Sequence, residues 1–76
     1  MFLLLKIEGV TDVSAVELPD NATASVLFQH IQTEFKIPVQ SQNIEFKGSQ
    51  VPNTTIPLNA LGIVEGTELN GKYRLF

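Results

Sequence analysis

The sequence predicts an α+β domain: a mixed sheet with one main helix packed across it. Three observations predict it. The first and last segments alternate apolar and polar residues, as half-buried strands do. A central stretch carries its apolar residues at helical spacing. The elements run β-β-α-β-β, with a short irregular segment before the last strand, an order that layers a helix on a sheet. At 76 residues the chain is expected to be one domain, 1–76.

Phe2 to Ile7 reads as the first strand, with Leu3, Leu5 and Ile7 on one face and Phe2, Leu4 and Lys6 on the other. Glu8 to Asp12 carries turn residues, and Val13 to Leu18 returns as a second strand with Val16 and Leu18 inward. Pro19-Asp20-Asn21 breaks that run. Thr23 can cap a helix whose stripe is Ala24, Leu27, Phe28, Ile31 and Phe35. Pro38 disfavours helical geometry at Ile37, so the helix ends near Phe35 or Lys36.

Asn43 to Lys47 reads as a third strand with Ile44 and Phe46 inward, and Gly48-Ser49 allows a tight turn into Gln50-Val51. Pro52 and Pro57 exclude regular structure from the next stretch, where Leu58, Leu61 and Ile63 are apolar anchors and Gly62 suits a positive φ. Thr67 to Leu75 reads as the last strand, with Leu69 and Tyr73 inward and Asn70, Lys72 and Arg74 outward. Gly71 falls on its inward face, where a glycine marks a bulge or a close backbone approach. The first and last strands are the most apolar, so they are expected side by side at the sheet centre.

Composition narrows the function classes. The chain has no cysteine and one histidine, so neither a disulfide nor a zinc site can staple it. With 43% hydrophobic and 17% charged residues it is expected to fold rather than stay disordered. A net charge of −3 and a pI near 4.8 argue against nucleic acid as a partner. The apolar opening Met1 to Leu5 is cut off by Lys6 and Glu8, too early for a signal peptide or a membrane helix. A cytoplasmic or nuclear monomer without membrane contact is expected. The glycosylation acceptor patterns at Asn21 and Asn53 then read as loop chemistry.

Catalysis is not expected. His30 is the lone histidine, and the serines and threonines have no base near them in sequence. The eight carboxylates are scattered, and the five glycines stand at turns rather than in a phosphate loop. No cofactor or metal is expected.

The helix leading into Ile37-Pro38, the run Ile44-Glu45-Phe46-Lys47-Gly48, and Leu58-x-x-Leu61-Gly62-Ile63-x-x-Gly66-x-x-Leu69 together resemble a ubiquitin-like domain over nearly the whole chain. The resemblance implies the β-grasp fold. In the second half, Phe46-Lys47-Gly48 and Pro57-Leu58-x-Ala60-Leu61-Gly62-Ile63 are similar to the ubiquitin-like domain of BAG-family co-chaperones. That similarity implies a protein-interaction module, N-terminal in a larger protein, with proteasome, ubiquitin-receptor or chaperone components as partners.

Two departures shape the expectation. The chain ends Lys72-Tyr73-Arg74-Leu75-Phe76, without the Gly-Gly tail by which a ubiquitin-type modifier is joined to targets. A modifier whose tail lies outside this sequence is one alternative. A β-grasp adaptor for small GTPases is another, disfavoured by the acidic first hairpin. The resemblance also places Glu45 and Lys72 where many relatives carry an apolar receptor patch, and burying unpaired charge there is costly.

By strand alternation Lys6, Glu45, Lys47, Lys72 and Arg74 point outward with Phe2 and Leu4, which predicts a basic sheet face. Glu8, Asp12, Glu17 and Asp20 make the hairpin end acidic. The expected site is therefore Phe2, Leu4, Lys6, Glu45, Lys47, Lys72 and Arg74, docking an acidic or mixed-charge segment of a protein partner. The alternative is an ordinary solvated face with cross-strand ion pairs such as Glu45 with Lys72.

Overall fold

The computed structural model describes residues 1–73, so the expectation for Arg74 lies outside the described residues. In chain order the elements are β1 (Phe2–Ile7), β2 (Ser14–Glu17), α1 (Ala24–Phe35), β3 (Gln42–Phe46), β4 (Ser49–Gln50) and β5 (Glu68–Tyr73). Short 3-10 turns occupy Val39–Ser41 and Leu58–Leu61. The strands form one sheet in the order β2-β1-β5-β3-β4. β1 and β5 pair in parallel near its middle, as their apolar content predicts, while the other pairings are antiparallel.

The alternation in β1 does what the sequence asks of it. Leu3, Leu5 and Ile7 are buried, and they meet Val16 and Leu18, the helix stripe Ala24, Leu27, Phe28 and Ile31, and Ile44, Leu58, Ile63 and Leu69 in one core. Phe35, Phe46, Leu61 and Tyr73 pack half-buried at its margin.

The first turn of α1 shows why the helix starts where it does. An α-helix leaves its first N–H groups without intrahelical partners. Here Ala24 N–H donates to the Ile56 carbonyl at 3.0 Å and Ser25 N–H to the Thr54 carbonyl at 2.8 Å. Val26 N–H donates to the Thr23 hydroxyl at 3.3 Å. Thr23 is thus the cap its sequence position predicts. The proline-bounded segment 52–57, irregular as expected, supplies the other two acceptors. At the far end Lys36 adopts the left-handed region at φ 58, and Ile37-Pro38 stops the helix.

Several boundaries differ from the sequence expectation, β5 starting at Glu68 rather than Thr67 among them. β2 is shorter than Val13–Leu18, and exposed Val13 lies outside it. β3 begins at Gln42, because the buried Gln42 Nε2 donates to the carbonyls of Phe28 and Ile37, both at 3.0 Å, and ties the strand to the helix end. Ser49–Gln50 forms a fifth strand on β3 instead of a bare turn. Lys47 and Gly48 both have positive φ, 52° and 81°, the two-residue hairpin geometry that matches strand twist.

Candidate protein-interaction face

α1 covers one side of the sheet, and strand register decides what stands on the other. Phe2 is opposite Glu17, and Leu4 is opposite Ala15 on β2 and Glu68 on β5. Lys6 is opposite Asn70, Asn70 is opposite Glu45, and Lys72 is opposite Asn43. Paired residues share a face, so the open side carries Phe2, Leu4 and Lys6 from β1, Glu17 from β2, Glu68, Asn70 and Lys72 from β5, and Asn43 and Glu45 from β3. Five of the seven sequence-predicted residues are therefore brought together: Phe2, Leu4, Lys6, Glu45 and Lys72.

Lys47 is placed differently. It is a turn residue, so the two-residue alternation of β3 does not extend to it. Its ammonium stands 5.3 Å from the centroid of the Phe46 ring, within cation–π range, and Phe46 packs against the core side.

The expected basic character is corrected by Glu17, which the sequence reading assigned to the hairpin end, and by Glu68, which it left out. Glu17 and Glu68 flank the apolar pair, so among the described residues the face sets Lys6 and Lys72 against Glu17, Glu45 and Glu68. Both were legible: each precedes an inward leucine, Leu18 or Leu69, and must point the other way. Lys72 Nζ lies 3.9 Å from Glu45 Oε1, a diagonal cross-strand pair. Both partners are substantially exposed, so solvent screens the pair and it contributes little to stability.

The carboxylates expected together at the hairpin end are split: Glu17 and Asp20 gather with Glu65 around Met1, whereas Glu8 lies at the opposite end beside Lys6. The Met1 ammonium donates to the Leu18 carbonyl at 2.8 Å and to Asp20 Oδ1 at 2.9 Å, with Glu17 and Glu65 carboxylates at 3.6 and 3.9 Å. The hydrogen bond to Asp20, with the charge of the three carboxylates, raises the pKa of this amine above its usual 8.0 against the opposing effect of desolvation. The same bond and the ammonium's charge lower that of Asp20 below 3.8. Glu65 also accepts the Phe2 N–H at 3.0 Å, which fixes it beside the strand end.

At the opposite end an open groove of about 230 Å³ is lined by Lys6, Glu8, Val10, Glu45, Asn70 and Lys72. Half-buried His30 lies on α1, in a groove between α1 and the β2 edge that Glu17, Glu34 and Phe35 also line. Among the described residues no three His, Cys, Asp or Glu side chains are grouped to hold a metal ion, and no helix is long and apolar enough to cross a membrane.

No family model matches the chain, and neither does any curated protein sequence. Among solved structures it is similar to a ubiquitin from Caldiarchaeum subterraneum, with a TM-score of 0.86 and 21% identity over 100% of this chain and 95% of that one. Together with one helix packed across a mixed five-stranded sheet, that likeness establishes a ubiquitin-like β-grasp fold.

Proposed function

We propose that the chain is a non-catalytic ubiquitin-like interaction module that docks protein partners on the open face of its sheet, in chaperone- or proteasome-linked protein quality control. One observation carries the docking part. Phe2 is 39% exposed beside half-buried Leu4, on a sheet side that no element of the described chain covers. The quality-control setting rests on the sequence resemblance of Phe46-Lys47-Gly48 and the run from Pro57 to Ile63 to BAG-family ubiquitin-like domains. The mixed charge of the face favours a partner segment that itself carries both signs.

The test is an NMR titration of the isotope-labelled chain with a purified proteasomal ubiquitin-receptor domain and, separately, with a purified chaperone. Shifts concentrated on the amides of Leu4, Lys6, Glu45, Asn70 and Lys72 are expected with at least one of them. Shifts confined to the solvent side of α1, around Gln29 and Thr33, overturn the docking face. A flat response to both overturns the quality-control setting.

A further inference from the structure

We infer that the partner segment brings an apolar anchor flanked by lysine or arginine, and that it lands on the Met1 end of the face rather than on Lys6 and Lys72. The inference rests on the docking reading above and specifies its chemistry. The register seats the apolar pair between two carboxylates: Glu17 is opposite Phe2 on one side, and Glu68 is opposite Leu4 on the other. Side chains paired this way stand about 5 Å apart at Cβ, within reach of a cation that follows an anchor onto Phe2.

The charge at this end is not cancelled internally. Glu17, Asp20 and Glu65 share a single ammonium, that of Met1, which leaves two negative charges. Glu68 makes no ion pair among the described residues and adds a third. Val64, 53% exposed, rides on the adjoining loop, whose Gly66 N–H donates to the Phe2 carbonyl at 2.8 Å, and so adds apolar surface to the same end.

One step further along the strands the excess of negative charge ends. Lys6 stands two residues past Leu4, about 7 Å away by strand geometry, with Lys72 beyond it, and Glu8 and Glu45 line the same groove, so the two signs balance there. An acidic segment is therefore drawn away from the exposed aromatic side chain, whereas a basic one is drawn onto it. The face is negative at one end of its strands and balanced at the other, and its apolar anchor site lies at the negative end.

The probe is a blocked helix-forming peptide with a leucine pair among lysines, compared with the same peptide carrying glutamates in their place. The lysine peptide is expected to shift the amides of Phe2, Leu4, Glu17 and Glu68 and to bind more weakly as salt rises. Glu68→Lys, at an exposed position whose side chain makes no hydrogen bond among the described residues, is expected to weaken it by about fivefold.

Equal or tighter binding of the glutamate peptide overturns the inference, and so do shifts gathered at Lys6 and Lys72. Concentration-dependent shifts at Phe2 without peptide make a second copy the occupant and overturn it as well. Failure with the peptides while a receptor domain or chaperone still moves the face defeats this inference alone. Failure of both defeats the docking reading with it.

Discussion

Gly71→Ala is expected to stabilise the protein, against the usual reading of a buried glycine at a sheet centre. Gly71 is opposite Ile7 on β1 and Ile44 on β3, so it sits between both neighbours of β5. A Cβ there would stand 3.5 Å from Ile44 Cδ1, 3.5 Å from Leu5 Cδ1 and 3.7 Å from Ile7 Cγ1. Those are ordinary contacts at the favourable distance for carbon pairs, and all three are side-chain atoms rather than backbone. Its φ lies outside the left-handed region, so alanine meets no backbone strain.

Burying one methyl group adds about 0.8 kcal/mol, and narrowing the unfolded chain adds about 0.4–1 kcal/mol. Some loss against the existing close fit leaves a net gain of about 1 kcal/mol, or about 4–8 °C in Tm for a domain of this size. Gly71→Val pushes two further methyl groups into the same three side chains and is expected to cost about 1–3 kcal/mol. Urea denaturation followed by far-ultraviolet circular dichroism reads both, with the slope m unchanged. A lower midpoint for the alanine variant, or a higher one for valine, would refute this account of the space around Gly71.

Two further outcomes follow from side-chain bonds. Gln42→Leu keeps the volume but removes both bonds from Nε2, so a loss of about 2 kcal/mol in urea unfolding is expected. A loss under about 0.5 kcal/mol would mean that the Phe28 and Ile37 carbonyls find other donors. The Met1 amine has a raised pKa, so its stabilisation is fully present below pH 8.0 and fades as pH climbs through the folded-state value. Asp20 has a lowered one, so its share is present above 3.8 and is lost as pH falls through the folded-state value. Urea midpoints should decline on the alkaline side for the native chain, and Asp20→Asn should flatten that decline. A native midpoint that is level across the alkaline range would refute the linkage.

Most of the fold was legible in the sequence because the burial of each element repeats with a period. Leu3, Leu5 and Ile7, and then Ala24, Leu27, Phe28 and Ile31, announce which side of strand and helix turns inward. Gln42 was not legible. A glutamine carries no periodic signal, and its two acceptors lie 14 and 5 residues away in sequence. Ser49–Gln50 was missed for a related reason. Both residues are exposed, and only the hairpin geometry of Lys47 and Gly48 brings them alongside β3.

The candidate face divides in the same way. That Phe2, Leu4, Lys6, Glu45 and Lys72 point outward follows from alternation within each strand, a local property that sequence alone determines. Which of them are neighbours depends on register between strands distant in the chain, and register is settled only when the helix side of the sheet is packed. The sequence therefore determined the fold class, the core side of each element and the absence of cysteine chemistry. The tertiary structure decided that Glu17 and Glu68 bracket Phe2 and Leu4, and that Lys47 leaves the face for the Phe46 ring. Which charges point outward is a local matter of alternation, but which of them stand beside the apolar pair could be settled only by the register.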